Sequence, residues 1–414
     1  MKIQFKPVLA AVAAFATFFV ATPSEAMAAF ARQTGMSCTS CHFQHYPLLN
    51  ETGRAFKSGG YTMMGKQGLI DGDGLSIPEV LNVGLTTKIR YQKSNGPATT
   101  TKNDNTNDGQ LQFPDEFLLQ LGGRISENIG FIADINLNNG GESVMEGAKI
   151  PFIYNVSGIN IGVIPFTTVT QGVAYGFELL NTGAVRGQRA VEARKTFSAQ
   201  QYINTANAAE GAAIVASNSL FFANISKWSP RSVTSTTDGT PSATYLRAAI
   251  TPTVGAWDLG LGLQLWTGKA TQDSAVAKTG EDVDTKAWSL DAQAQGSVAT
   301  LPLGIYFTHA QADASSTGSV NLFNSSTDHA KSATTLLAEL GVMPSKATVT
   351  LGYRNGDNGK ATNSADNALL VGGSYQIVKN VQLQLNQEFL SGDGISSSTG
   401  NGDQLTTLML FAAF

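Results

Sequence analysis

Trp257-Asp258-Leu259-Gly260-Leu261-Gly262-Leu263-Gln264-Leu265 carries an apolar residue at every odd position and a small or polar one at every even position. A period of two belongs to a β-strand, whose successive side chains point to opposite faces. The same split recurs in Val381-Gln382-Leu383-Gln384-Leu385-Asn386. It also appears in Val83 to Tyr91, with Lys88 and Arg90 on the polar side, and in Ile129 to Leu137, with Asp134 and Asn136 there. From Val80 onward such segments follow one another, separated by Gly, Asn, Asp and Ser turns.

A β-sandwich alternates too, but it buries its apolar face between two sheets and turns its charged face to water. Two features favour a transmembrane barrel, which turns the apolar face to lipid and the polar face to a lumen. Many segments approach the roughly 9–11 residues that cross a bilayer. The sequence also ends within a strand, Leu408-Met409-Leu410-Phe411-Ala412-Ala413-Phe414. A terminal aromatic on an amphipathic strand resembles the recognition signal of bacterial outer-membrane barrels.

Composition agrees. The 414 residues are 42% hydrophobic but only 14% charged, against roughly 25% charged in soluble domains. That is too little charge for a disordered chain, and the two cysteines are too few for a disulfide scaffold. No internal run reaches the roughly 18 apolar residues of a membrane-spanning helix.

Candidate strands begin near Val80, Asp115, Asn128, Gly147, Gly158, Ala213, Thr244, Ala256, Thr285, Ala299, Ser332, Lys346, Asp366, Asn380 and Gln404. Bacterial barrels close with an even number, so the fold expected is all-β, an antiparallel outer-membrane barrel of about 16 strands. Its lumen is wide enough to hold more than side chains. Strand parity puts Lys88, Arg90, Arg124, Arg247 and Arg354 on the lumen wall, balanced by Asp134, Asp258, Asp291, Glu339 and Glu388. It puts His309 on the lipid side with Leu303, Ile305 and Phe307, and His329 falls in a polar loop. Gly183 to Asn207, with Arg186, Arg189, Arg194 and Lys195, fits no strand and reads as a solvated loop rather than a segment folded into the lumen. Asp71-Gly72-Asp73-Gly74 lacks the further ligands of a calcium loop and reads as a linker turn into the first strand.

Ahead of the barrel, Lys2 and Lys6 flank an apolar stretch from Val8 to Val20, followed by Ala26-Met27-Ala28. Residues 1–28 therefore read as a cleaved secretory signal, with Ala29 as the mature start. Without Lys2, Lys6 and Glu25 the net charge is −5. A nucleic-acid partner would call for a strongly basic balance, so that class is excluded.

The chemistry lies at Cys38-Thr39-Ser40-Cys41-His42, the C-x-x-C-H attachment pattern of c-type haem. Two thiols on one helical turn reach the two vinyl groups of one porphyrin, and the adjacent imidazole reaches the iron. A redox-active pair belongs in a βαβ pattern and a zinc site needs four ligands. One covalently bound haem c is therefore expected, held by Cys38 and Cys41 with His42 as an axial ligand. For the second axial position the nearby candidates are Met36, His45, Met63 and Met64. His45 falls one turn beyond His42 on the same side of the ring, and Met36 is too close to return. Met63 and Met64 follow a bend at Ser58-Gly59-Gly60-Tyr61 that turns the chain back over the ring. A Met ligand is favoured without a choice between the two, and a five-coordinate iron or a more distant ligand stays open. Phe43, Leu48, Leu49, Phe56 and Tyr61 cover part of the porphyrin. The haem segment, residues 29–78, is too small to be stable alone, so the lumen of the barrel, residues 79–414, is its expected shelter.

Ala29-Phe30-Ala31-Arg32-Gln33-Thr34-Gly35, Cys38 to His42, Pro47, Gly53-Arg54, Phe56-Lys57 and Gly60-Tyr61 together resemble the start of the fused monohaem cytochrome–porins of iron-oxidising bacteria. Over the barrel the resemblance is one of architecture and length. It implies an outer-membrane iron oxidase that transfers electrons across the membrane. Fe(II) outside is then the donor and a periplasmic c-type cytochrome the acceptor, with Cys38 and Cys41 anchoring the haem and His42 as its proximal ligand. Loop carboxylates such as Glu281, Asp282 and Asp284 would attract Fe(II). Two other functions fit the same residues: a conduit reducing an extracellular acceptor, and a diffusion porin with a haem-containing plug or sensor.

Overall fold

The structure, a computed structural model, describes residues 28–65, 67–97, 106–138, 144–183, 191, 198–231, 240–274, 277–397 and 402–414. The signal segment, residues 1–27, lies outside the described residues, as do Arg186, Arg189, Arg194 and Lys195.

The chain forms a closed antiparallel barrel of 16 strands in the outer membrane. In order these are Val83–Ser94, Gln110–Ser126, Ile129–Asn136, Met145–Lys149 continued by Phe152–Val156, Ile159–Thr168, Ala209–Ser217, Phe221–Pro230, and Ala243–Ile250 continued by Thr253–Val254. Trp257–Thr267, Ala287–Val298, Leu301–Ala312, Lys331–Met343, Ala347–Asp357, Asn367–Val378, Val381–Ser391 and Gln404–Ala413 complete the ring. The two continued strands break at Pro151 and Pro252, where a proline has no N–H for the ladder. Closure is direct: Leu85 N–H donates to Phe414 O at 2.8 Å, and Phe414 N–H donates to Leu85 O at 3.0 Å.

The strands follow the expected parity. Leu261, Leu263 and Leu265 point outward and are exposed, while Gly262, Gln264 and Trp266 point inward and are buried. Lys88, Arg247, Arg354, Asp134, Asp291, Glu339 and Glu388 are all buried in the lumen. His309 lies on the outer face against Trp288, and His329 is exposed in a loop. One end of the barrel has short turns, such as Ser157-Gly158 and Ala299-Thr300, and the other has long connections such as 313–330. Short periplasmic turns and long extracellular loops are the outer-membrane pattern.

The strand count differs from the sequence starts at one place. The sequence predicts a single strand near Ala213, whereas Ala209–Ser217 and Phe221–Pro230 form a hairpin. Its turn contains neither Gly nor Pro. Asn218 instead makes it, its side-chain oxygen accepting from the N–H groups of Leu220 at 2.8 Å and Phe221 at 3.0 Å. Two further hairpins stand outside the ring, Leu69–Gly72 with Leu75–Pro78 and Lys269–Ser274 with Ala277–Asp284. Asp73-Gly74 is the tip of the first, which precedes the first barrel strand.

No distinct N-terminal haem-fold domain is evident. Residues 28–65 carry three short helices, α1 (Ala28–Thr34), α2 (Cys38–Cys41) and α3 (Glu51–Ser58), packed against inward-facing side chains of the wall. A ring cluster of Phe30, Phe56 and Tyr61 is local to the segment. Leu48, by contrast, is buried among Tyr306, Leu337 and Leu370, and Tyr46 stacks on Phe411 at 5.5 Å. The apolar surface of this plug is therefore completed by the barrel.

A second segment enters the lumen between Thr168 and Ala209. Most of its described residues are buried, Phe177, Leu180 and Thr182 before Gly183 and Val191, Ala199 and Ile203 after it, so the solvated loop expected over Gly183–Asn207 is corrected to an infolded one where that span is described. Arg247 explains why it stays. It bonds Asp291 on the wall at 2.6 Å and Glu178 on the infolded segment at 2.8 Å, all three side chains being fully or almost fully buried. Thr182 donates to Asp291 at 2.7 Å, and Asn181 N–H to Gln293 at 2.8 Å.

Candidate functional site

Cys38–Cys41 is one turn of helix, closed by the His42 N–H donating to Cys38 O at 2.8 Å. The helix stops there because His42 is extended, with φ −112° and ψ 137°. His45 is thus not one helical turn beyond His42. It leaves the turn toward the wall, where its Nε2 lies 2.6 Å from Glu339.

Helix α3 braces this turn. Asn50 caps α3 by accepting from Gly53 N–H at 2.9 Å, and its own amide donates to Ser40 O at 3.1 Å. Asn50 N–H donates to Cys41 O at 3.0 Å. The approach is so close that a Cβ on Gly53 would lie 2.2 Å from Cys41 O. Only glycine fits.

Leu48 O lies 3.1 Å from His42 Nδ1, and since a carbonyl only accepts, Nδ1 carries the proton. A histidine that ligates a metal through one ring nitrogen commonly donates from the other to a backbone carbonyl in this way. Cys38, Cys41 and His42 all line one cavity of about 180 Å³. Phe30, Leu49, Phe56 and Tyr61 supply its apolar plug-side surface, Gln120, Asp134 and Lys149 come from the wall, and Tyr175 and Glu178 from the infolded segment. Burial pushes the Cys41 thiol up, opposite to the lowered value of a reactive redox thiol.

Of the residues expected at this site, the structure brings together Cys38, Cys41 and His42. It does not bring Met63 or Met64 to them: Met63 is exposed, and Met64 lines a separate cleft with Gln67 and Leu69. Met36 does line the cavity. Leu49, Phe56 and Tyr61 face it, whereas Leu48 and Phe43 pack on the wall.

Polar contacts to the wall hold the plug. Arg54 makes a two-pronged pair with Asp258 at 2.6 and 2.7 Å. His45 meets Glu339, and Gln44 donates to the backbone oxygen of Glu339 at 3.0 Å. Ser58 meets Ser217 at 2.8 Å, and Gln33 accepts from Arg124 N–H at 3.1 Å. Asn181 links the plug to the infolded segment, accepting from Leu49 N–H at 2.8 Å and donating to Leu49 O at 3.0 Å. Ser58, Arg54 and His42 lie toward the short-turn end, near Ser217, Asp258 and the cleft lined by Ser345, Lys346 and Asn380. Sequence reasoning placed Asp258 and Glu339 on the wall but had no signal for their partners on the plug.

No family model matches the chain, and no curated protein matches it. Solved structures similar to it include porins and other outer-membrane proteins. The OmpF of Salmonella typhi, solved with daunomycin, is 11% identical with a TM-score of 0.49, covering 84% of this chain and 100% of that one. An anion-selective porin of Comamonas acidovorans is 14% identical at a TM-score of 0.48, covering 80% and 98%. A loop-deletion form of OmpT of Vibrio cholerae is 9% identical at 0.45, covering 81% and 99%. At these identities the likeness concerns fold, and the architecture itself rests on the strand pairing above.

The resemblance to fused monohaem cytochrome–porins, and the Fe(II) oxidation and transmembrane electron transfer drawn from it, are corrected to the 16-strand porin-like barrel that the strand pairing shows. Among the described residues no group of three or more His, Cys, Asp and Glu is placed to hold a metal ion. Asp284 is tied to Lys286 at 2.9 Å and Ser319 at 2.7 Å, Asp282 accepts from Thr271 at 3.2 Å, and the Glu281 side chain lies outside the described residues.

Proposed function

We propose that this chain is a diffusion porin of the outer membrane whose lumen carries a haem-containing plug. The observation that supports it best is the pairing of a closed, polar-walled barrel with a small segment held in its lumen by separate polar contacts. Gln264, Asp291, Gln293, Glu339 and Glu388 give the wall a polar inner face, which plug and infolded segment now cover in part.

The plug residues fit one haem c. Cys38 and Cys41 stand on one turn, His42 has its Nδ1 occupied by Leu48 O, and aromatic and aliphatic side chains line the cavity they share. Cys38 and Cys41 would form the thioethers and His42 would ligate the iron. When bound, the haem supplies a covalent staple for the plug and an iron whose oxidation state the plug contacts can sense. The protein's own part is mechanical. Asn50 and Gly53 hold α3 against the cysteine turn, and Arg54 and His45 fix the plug to the wall.

Conductance of the purified chain in planar bilayers tests the porin reading. Low or absent conductance is expected from the intact chain, with discrete open steps after Arg54→Gln combined with His45→Gln. A chain that conducts in neither form overturns it. Haem staining on a denaturing gel tests the covalent cofactor, and its absence from the exported protein overturns that part.

A further inference from the structure

Tyr175, on the infolded segment, lines the same cavity as Cys38, Cys41 and His42. Its hydroxyl oxygen is buried and has no hydrogen-bond partner among the described residues. A buried hydroxyl without a partner costs about 1–3 kcal/mol, so its position needs a cause. The surroundings hold it in place. Lys149 donates to Tyr175 O at 2.7 Å and lies 4.4 Å from the ring centroid. On the wall, Gly147 makes room: a Cβ there would lie 3.1 Å from both Tyr175 Cζ and Oη.

The two carboxylates beside it have other work. Asp134 accepts from Gln120 at 3.0 Å, and Glu178 is bound by Arg247. Burial, then the nearby charge of Asp134, push the phenol well above its ordinary value, so it is a neutral O–H donor. A buried donor without a partner, on a residue that lines a cavity, calls for an acceptor on whatever fills that cavity. A haem is apolar except at its iron and its two propionates, and its carboxylate oxygens are its strong acceptors.

We propose that Tyr175 is a further binding residue of the plug cavity, donating its hydroxyl to a carboxylate of the haem c held by Cys38 and Cys41. This rests on the haem reading above. It also makes the infolded segment part of the haem site, so that the cofactor touches plug and constriction together.

The test uses the full chain, purified in detergent with its cofactor. Tyr175→Phe removes only the hydroxyl, and Gly147→Ala displaces the ring while leaving the hydroxyl in the chain. A carboxylate that loses its donor leaves more negative charge at the haem, so both variants are expected to lower its midpoint potential while covalent haem staining stays at the wild-type level. An unchanged potential in Tyr175→Phe, with haem still attached, overturns the role of Tyr175 alone. Absence of covalent haem from the wild-type protein overturns both this role and the haem reading.

Discussion

Arg54 of the plug and Asp258 of the barrel wall meet through two parallel contacts at 2.6 and 2.7 Å, although 204 positions separate them in the chain. Both prongs of the guanidinium are used, which fixes the orientation of α3 as well as its distance from the wall. The pair is mostly buried. Removing one partner of such a pair leaves the other charge uncompensated, at a cost of about 3 kcal/mol or more. Arg54→Gln is therefore expected to speed hydrogen exchange across Glu51–Ser58 while the barrel strands keep their protection. Equal loss of protection in plug and barrel would show that the plug is not held separately.

The contact between His45 and Glu339 adds a pH dependence. Burial alone would lower the His45 imidazole, but the charge and hydrogen bond of Glu339, with the bond to Tyr46 O, leave it raised overall. A raised imidazole contributes its full share of stability below about pH 6.5, its unfolded value, and loses it as pH rises through the folded value. The plug should thus loosen on the alkaline side. Protection of the amides from Phe43 to Leu49, taken relative to the intrinsic base-catalysed rate at each pH, should fall in the wild type from pH 6 to pH 9. In His45→Gln it should already be low at pH 6 and nearly flat.

At the infolded segment one guanidinium serves two carboxylates. Burial, ahead of the opposing pull of Arg247 and the push of Asp291, raises Glu178. A carboxyl raised in the folded state favours folding less as pH rises above its unfolded value. Neutral Glu178→Gln should consequently be tolerated within about 1 kcal/mol, whereas Arg247→Leu strands two buried acids and should cost about 3–5 kcal/mol. Thermal unfolding in detergent ranks the two, and a larger loss in Glu178→Gln would refute the assignment.

The barrel was legible because its signal is local and repeated. In Trp257–Thr267 each residue's neighbours two positions away already state which face it takes, and Leu263 and Gln264 landed on opposite sides as expected. The hairpin between Ala209–Ser217 and Phe221–Pro230 was missed because Asn218 makes its turn with a side chain, without a glycine or proline to mark it. The cysteine turn was legible for the same reason of proximity, since Cys38, Cys41 and His42 are neighbours in sequence. What was hidden is non-local. Nothing near Arg54 announces Asp258, and nothing near Glu178 announces Arg247, so the infolded segment looked like a solvated loop. Met63 and Met64 show the limit of a turn signal, because the bend before them redirects the chain without saying where it goes. After that bend Gln33 donates to the Tyr61 and Met63 carbonyls at 2.6 and 2.8 Å, a non-local contact that the bend does not announce.

Close backbone packing gives a further test. A methyl group at position 53 meets the Cys41 carbonyl at 2.2 Å, and a backbone oxygen cannot swing aside as a flexible side chain can. Gly53→Ala should push α3 off the cysteine turn and destabilise the plug by about 1–3 kcal/mol. The measurement is the midpoint of plug exchange in denaturant, with Gly59→Ala as the control. A Cβ at position 59 has no contact closer than 3.5 Å, and the site has negative φ. Equal effects of the two would count against the packing.

The outer face can be examined by charge. Leu263 sits near the middle of Trp257–Thr267, points outward and is 52% exposed, with Leu261 and Leu265 beside it on the same face. In the membrane that exposure is contact with hydrocarbon. An arginine there should cost about 2–4 kcal/mol, falling to about 1 kcal/mol or less near an interface. Leu263→Arg should therefore refold poorly into lipid vesicles, while the same change at Val254, in the short turn-end strand Thr253–Val254, should be mild. If both arginines behaved alike, the face carrying Leu263 would not be the one that meets lipid, and the inward assignment of Gln264 and Asp258 would have to be reversed with it.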